Sequence, residues 1–590
     1  MKKYFLTALL CLLLPTLLIS CERGGEVIET EETTAEAVES EGEKVLNFNP
    51  SEYKVIYPSD AFKEKYLALL AAKAFDNIPY LPDGTTPEGE CEILVGNTNR
   101  AESQTVLEMM GENDMLIAVI NKKIVLMATD DDLYEPLVYR LTSSIEEGTL
   151  PADFCLLYDT KNLSKVCDSF PKDSALSFTA ALSHKTSSFE IRFGDDRVIV
   201  FDKDGVGLYT LEKKRTELAY KVLPSELGKA YDVFCHYDGK YLRAYVSDPE
   251  SGLEPWYAFE VKTSSLSGEV RLGDTSGYGA LLSEPKIESV ELTATGGTYQ
   301  NNVIKNGADP DILYHDGYYY MYVTGDHYPV YRSSDLAKWE YVGTSLPEVS
   351  WNIDKRYMWA PDVEYINGKF YMAVSMGEFG FGIAVSDKPE GPFVCAGDMP
   401  FLTQTIDGHI YVDDDGRIYL YYTSWCDGRA YGIWGVEMES DCLTPKWETE
   451  KLIFTPTEPW ESTMGRGGVV EAPYMLKKEG VYYLVYSGSH FEADYAVGYA
   501  TSTSPLEGFV KSANNPILRG TADTRGTGHC SIVETPSGGM VMAYHVHNTT
   551  TAVQPRHVAI DPVRFVKTAD GYRLEVCGPT TSRVSLEIFK

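Results

Sequence analysis

Five times in the C-terminal half, a polar turn ending in glycine gives way to an aromatic and aliphatic run. The copies are Gly317-Tyr-Tyr-Tyr-Met-Tyr, Gly368-Lys-Phe-Tyr-Met-Ala, Gly416-Arg-Ile-Tyr-Leu-Tyr, Gly480-Val-Tyr-Tyr-Leu-Val and Gly538-Gly-Met-Val-Met-Ala. A glycine turn before such a run marks a hairpin entering a buried strand. The glycines are 51, 48, 64 and 58 residues apart. Hairpin units repeating at roughly 50 residues point to a β-propeller with one four-stranded blade per repeat. A further apolar run follows each hairpin: Tyr328-Pro-Val-Tyr-Arg, Phe381-Gly-Ile-Ala-Val, Tyr431-Gly-Ile-Trp-Gly, Tyr495-Ala-Val-Gly-Tyr and Arg556-His-Val-Ala-Ile. It reads as the second strand of each blade, so residues 301–575 are expected to form a five-bladed propeller.

Upstream the pattern changes twice. Over 175–295, short strand-like runs alternate with turns, as in Ser188 to Phe193, Arg197 to Asp202 and Tyr231 to Tyr237, with the hairpin signal Asp238-Gly239. No long helix fits, and a β-sandwich follows. Over 45–165, helical spacing from Ala61 to Phe75 and Leu133 to Ile145 mixes with the strands Glu92 to Gly96, Met115 to Ile120 and Lys123 to Ala128. This reads as a small α/β domain. The fold class is therefore mainly β. Residues 21–44 are rich in glutamate and lack aromatics, the composition of a disordered acidic tether. Residues 1–20 read as a signal peptide: Lys2 and Lys3 precede an apolar stretch from Phe5 to Ile19 that is short for a membrane span.

The formal net charge is −35, which argues against nucleic acid or an anionic membrane surface as a partner. The forty-one tyrosines suit β-rich folds and sugar-binding surfaces. Beyond Cys11 and Cys21, nine cysteines are spaced without a zinc pattern or CxxC, so neither a metal site nor a disulfide framework is indicated.

The chemistry lies just before the turn glycines. Asp309 stands eight residues before Gly317 and Asp362 six before Gly368; Asp407, Glu471 and His529 each stand nine before theirs. One phase of a propeller is one radius, so these side chains are expected to converge on the central channel. A ring of acids is costly in a concave site, because burial and like charges both oppose ionisation. Glycosidic hydrolysis needs such carboxyls: a protonated one to assist the leaving oxygen and an ionised one to activate water or attack carbon. A third can raise the pKa of the proton donor. Asp309 and Asp362 each adjoin a proline and, taken singly, also suit turn caps.

Asn306-Gly-Ala-Asp309-Pro-Asp, Trp359-Ala-Pro-Asp362-Val and Val470-Glu471-Ala-Pro-Tyr resemble the acid motifs of glycoside hydrolase family 43, as do Ser504-Pro-Leu-Glu-Gly-Phe, Gly526-Thr-Gly-His529 and Tyr544-His-Val-His. The resemblance implies a five-bladed propeller and inversion of the anomeric centre. It implies Asp309 as general base, Glu471 as general acid and Asp362 as the residue that raises the acid's pKa. It gives Asp407 a supporting role toward substrate, and His529 a place at a calcium or other ion in the channel. Ala472 stands where glycine is more usual, a difference of one methyl. Trp359, Trp425 and Trp460 are candidates for stacking on a sugar, with core packing as the alternative. The 175–295 segment resembles concanavalin A-like modules, and Leu18-Ile19-Ser20-Cys21 resembles a lipobox, implying lipidation of Cys21.

The expectation is an inverting hydrolase, lipid-anchored on the extracellular face of a bacterial membrane. Its substrate would be a plant cell-wall polysaccharide or oligosaccharide containing arabinose or xylose, and it would touch the membrane through the anchor alone. The activities implied are α-L-arabinofuranosidase, β-xylosidase or endo-arabinanase. The alternatives are a non-catalytic glycan-binding lipoprotein, an exo-galactanase of the same family, and a retaining propeller hydrolase of fructans.

Overall fold

The structure is a computed structural model that describes residues 21–23, 26–28 and 45–589, apart from short internal stretches of which 129–140, 291–296, 183–187 and 352–356 are the longest. The expected signal peptide and most of the tether and of the helix from Leu133 lie outside the described residues. Within the expected tether, Cys21–Arg23 pairs antiparallel with Glu26–Ile28.

The chain divides into two compact units, the first reaching Ser164. Its six-stranded sheet runs in the order Cys155–Asp159, Asp114–Ile120, Lys123–Ala128, Glu92–Val95, Lys54–Tyr57, Tyr80–Pro82, with helices at Phe62–Ala74 and Ala101–Met109. The tight turn at Asn121 and Lys122 has φ of 51° and 68°, as a two-residue type I′ hairpin requires.

The second unit holds the sandwich strands and the propeller. Two six-stranded sheets include the expected strands Ser188–Phe193, Arg197–Asp202 and Ala230–Tyr237. Thr216–Val222 forms the edge of one of them. Five four-stranded sheets follow, each a simple meander. Their first strands are Asp311–His315, Met358–Ile366, Thr405–Val412, Val470–Lys478 and Gly528–Glu534. The glycine runs form the second strands. The second recurring run proves to be the third strand of each blade, for example Pro329–Ser333 and His557–Thr568.

The ring is held by apolar clusters between successive blades. Tyr320 and Tyr322 of blade 1 pack with Met372 and Val374 of blade 2, and so on around. The last cluster closes blade 5 on blade 1 through Val541, Val558, Ile312 and Met321. Val303 and Ile304, at the entry to blade 1, bond to Val558 in blade 5. The tyrosines serve this packing. Tyr322, Tyr421, Tyr422, Tyr486 and Tyr544 are fully buried. Tyr322 donates its hydroxyl to the Pro389 carbonyl of blade 2, and Tyr421 to that of Pro505 in blade 4. Both acceptors lie in matching loops, Ser-Asp-Lys-Pro389-Glu-Gly-Pro-Phe and Ser-Thr-Ser-Pro505-Leu-Glu-Gly-Phe.

The sandwich sheets are bonded to the propeller. The Lys221 ammonium, fully buried, donates to the Ile517 and Val576 carbonyls. Glu260 accepts from the Thr581 amide at 3.0 Å, the Ser582 amide at 2.8 Å, the Ser582 hydroxyl at 2.6 Å and Arg243 at 2.8 Å. A buried carboxylate so completely paired is strongly destabilising to truncate, because its partners are left uncompensated. Glu260→Ala is expected to lower stability by about 3–5 kcal/mol, read as a fall in the urea midpoint of the propeller transition; an unchanged midpoint would contradict this docking.

Candidate active site

Each blade's first strand begins with one residue in the left-handed region: Asp309 (φ 49°), Ala360 (40°), Asp407 (57°), Ala472 (55°) and His529 (50°). In blades 2 to 5 it lies inside a break in register between first and second strands. Left-handed backbone is unfavourable for residues with a Cβ, so something must hold it. The preceding blade does. Thr324 Oγ1 accepts the Ala360 amide at 2.7 Å, Ser375 Oγ the Asp407 amide at 3.2 Å and Ser487 Oγ the His529 amide at 2.8 Å. In blade 4 the Ala472 amide donates instead to Asp407 Oδ2 at 3.1 Å.

This register corrects the expected common phase. Asp309, Asp407 and His529 occupy the same position. Glu471 stands one residue before it in its blade, and Asp362 two residues after it. For Glu471 the cause is turn length, whereas Asp362 stands six residues before its glycine and Asp309 eight, in blades whose turns are equal. Blades 1, 2 and 4 turn through Asp316-Gly317, Asn367-Gly368 and Glu479-Gly480, all with positive φ, the two-residue form. Blades 3 and 5 have longer turns before Gly416 and Gly538. Counting back from the glycines therefore sets Glu471 level with Asp407 and His529, one residue out of place. Ala472 also matters more than its one methyl suggests, since it holds a conformation that favours glycine.

Asp309, Asp407 and His529 come together: His529 Nδ1 is 3.5 Å from Asp309 Oδ1 and 4.0 Å from Asp407 Oδ2. Asp309 is buried and saturated with donors. Arg556 reaches it with both terminal nitrogens, at 2.7 and 3.3 Å. The Thr324 hydroxyl donates at 2.7 Å, and His545 Nδ1 lies 2.9 Å away. Burial alone would raise its pKa; Arg556, His529 and His545 override that and hold it well below the usual carboxylate range. Burial and the neighbouring Arg556 push His545 down to about 3, which keeps it neutral.

Glu471 is displaced the other way. Burial, with the Asp309 charge adding to it, pushes its pKa up to about 7 against the lowering influence of the Tyr495 hydroxyl. Asp407 is raised well above its ordinary value by burial and by the Glu471 and Asp309 charges. Its bond to the amide next to Glu471 places it beside that acid.

Asp362 is engaged elsewhere. It is buried, and its oxygens accept from His409 Nδ1 at 2.7 Å and the Ile410 amide at 2.9 Å, both in blade 3. Asp311 accepts the Val363 amide of blade 2 in the same way, and Ser531 the Ile312 amide of blade 1. Asp362 thus occupies a position that staples neighbouring blades. Below the ring is a cavity of about 20 Å³ lined by Asp311, Asp362, Asp407 and His529 among others. That is room for about one water molecule. Among the described residues, no group of three or more His, Cys, Asp or Glu is placed to hold a metal ion. The ion implied at His529 is one coordinated mainly by water, which asks for no such chelating group.

Of the tryptophans, Trp359 is 39% exposed and stands with exposed Tyr357 and Phe379, ring centroids 5.7 and 5.9 Å from Tyr357. Trp425 lies 6.2 Å from Tyr431. Trp460 packs onto Gly488 and Gly498, where a Cβ would strike its ring.

The profile described as glycosyl hydrolases family 43 matches residues 299–572. A β-D-galactofuranosidase of Aspergillus niger is 30% identical over 318 residues, which is 48% of this chain and 87% of that enzyme. The chain belongs to glycosyl hydrolase family 43. A probable arabinan endo-1,5-α-L-arabinosidase of Emericella nidulans is 28% identical, over 41% of this chain and 73% of that one. A Vibrio xylan 1,3-β-xylosidase is 28% identical, but this chain spans only 49% of its length. A solved endo-1,4-β-xylanase of Bacteroides thetaiotaomicron is 33% identical, with 48% of this chain and 98% of that one covered at a TM-score of 0.43. Family 43 members are glycoside hydrolases, and so is this protein.

The residues given no role from sequence are Arg556, Tyr495, Thr324 and His545, although His545 lies in the quoted Tyr544-His-Val-His motif. A signal for the first existed. The third-strand runs open on Tyr328, Phe381, Tyr431, Tyr495 and Arg556, and the single cation in an aromatic phase is the one that grips Asp309. Asp362→Ala is expected to lower stability by about 2–4 kcal/mol through loss of two buried charge-assisted bonds. Chemical denaturation checks it, and a change under about 0.5 kcal/mol would exclude the stapling role.

Proposed function

We propose that this family 43 enzyme hydrolyses its glycosidic bond with Glu471 as general acid and Asp309 as general base. The carrying observation is the divergence of two carboxyls in one ring: Asp309 held well below the usual range, Glu471 pushed up to about 7. Titratable groups pushed apart in one site mark acid and base. Near neutral pH, Glu471 keeps a proton for the leaving oxygen, and Asp309 takes one from water as that water attacks the anomeric carbon. Thr324, Arg556 and His545 fix the carboxylate's direction. Asp407 takes the role expected of Asp362. Its charge state is coupled to that of Glu471, so proton loss from either raises the cost of losing the other.

The substrate we assign is an arabinose- or xylose-containing plant polysaccharide or its oligosaccharides, supported by the arabinanase and xylosidase relatives. The galactofuranosidase relative favours testing a galactofuranoside beside them. Exposed Trp359 is the better placed of the candidate aromatics to stack on a sugar. The lipobox-like Leu18-Ile19-Ser20-Cys21 supports a lipid anchor on Cys21 and a place on the outer face of a bacterial membrane. No described helix is long and apolar enough to span a bilayer.

The test is hydrolysis of nitrophenyl α-L-arabinofuranoside, β-D-xyloside and β-D-galactofuranoside, linear arabinan and arabinoxylan. Glu471→Gln should lose about 10²–10⁴ of kcat/KM on whichever is cleaved. Because the acid must be protonated and its folded pKa is raised, activity should hold through mildly acidic pH and fall as pH rises through about 7. Asp407→Asn should move that alkaline fall to lower pH, while an Asp362 variant should leave it in place. The reverse pattern would restore Asp362 as the modulator.

A further inference from the structure

A second concavity opens on the face that carries the acids. First strands begin at that face, so the loops joining second to third strands, and each fourth strand to the next blade, also lie there. The concavity is about 480 Å³ and is built from those loops: Asp494 and Tyr495 between the second and third strands of blade 4, Arg519 and Arg525 between blades 4 and 5, and Trp460 before blade 4. Its remaining wall comes from Glu217 and Leu218 on the edge strand Thr216–Val222 of the sandwich.

Three bonds clasp the loop of blades 4 and 5 to the sandwich. The Ala522 amide donates to the Leu218 carbonyl at 2.6 Å, Arg519 to Glu217 at 2.6 Å, and the Lys262 amide to Asp523 at 2.5 Å. With the buried Lys221 and Glu260 anchors, the wall is fixed. Tyr495 is shared between the two sites. It lines this concavity, and its hydroxyl is close enough to Glu471 to act on that carboxyl's pKa.

The lining chemistry selects the ligand. Arg519 is already paired with Glu217, and Arg525 with Asp494 at 2.6 Å. No net charge is left for an ionic ligand, yet both pairs are partly exposed and keep unused donors and acceptors. Paired planar charges beside an aromatic wall suit the vicinal hydroxyls of a neutral sugar, and the volume exceeds a single small ring.

We propose that this concavity is a sugar subsite that takes a neutral glycosyl unit of the same chain whose scissile bond lies at the acid ring, and that the sandwich completes it through Glu217. The proposal rests on the glycosidase reading of the acid ring. It makes the sandwich a specificity element of the catalytic site rather than a separate binding module.

Titration calorimetry of full-chain Glu471→Gln with α-1,5-arabino-oligosaccharides and β-1,4-xylo-oligosaccharides of increasing length tests it. Affinity for one series should rise about tenfold, equivalent to about 1.4 kcal/mol, once the chain is long enough to reach the subsite. Glu217→Ala combined with Arg519→Ala should abolish that increment. So should Ala522→Trp, which fills the concavity while leaving the Arg519–Glu217 pair in place. A flat or absent length dependence, or an increment that survives both variants, overturns the proposal. Failure of the wild-type chain to hydrolyse any glycoside, with the increment intact, would instead overturn the acid–base reading and leave the subsite standing.

Discussion

The left-handed residue at the head of each first strand governs both architecture and chemistry. In blades 2 to 5 it breaks the hairpin register, and in all five it is held against its own steric preference. In three blades a hydroxyl at the end of the preceding blade's second strand holds it there. The amide that fixes one blade's catalytic position is therefore satisfied by its neighbour. Opening the seam between blades 2 and 3 or between blades 4 and 5 would release Asp407 or His529. The apolar clusters between blades supply the bulk of the attraction, and the hydroxyl bonds supply the register.

From that geometry the electrostatics follow. Two carboxylates at the same bulge position, Asp309 and Asp407, would repel if both were ionised. The protein separates them by surroundings. Asp309 receives Arg556, Thr324 and His545, while Asp407 receives one backbone amide and the company of Glu471. Burial raises all three acids, but only Asp309 has enough opposing charge to escape it. The proposed acid and base thus differ chiefly in the partners that surround them.

Much of this was legible in the chain. The turn glycines and the spacing near fifty residues gave the propeller, because a type I′ hairpin leaves a strong local mark and a blade cannot bury its faces alone. The residue-level alignment was less legible, since a single extra turn residue in blades 3 and 5 shifts the count. Asp362 needs no such shift: it stands six residues before Gly368, as Asp311 does before Gly317, and is the equivalent of Asp311 rather than of Asp309. Arg556 and Tyr495 were visible as members of an apolar run, but their direction toward Asp309 and Glu471 depends on ring closure between blades distant in sequence. The same holds for Lys221 and Glu260, whose carbonyl and amide partners lie about three hundred residues away.

The proposed acid–base division requires Glu471 to carry a proton in the folded enzyme while Asp309 does not. Infrared difference spectra of the wild type against Glu471→Gln, recorded across pH, read this without relying on turnover. The account predicts a protonated carboxyl band in the wild type that is absent from the variant and disappears as pH rises through about 7. A Glu471 carboxyl already ionised at about pH 5, close to the ordinary glutamate range, would contradict it.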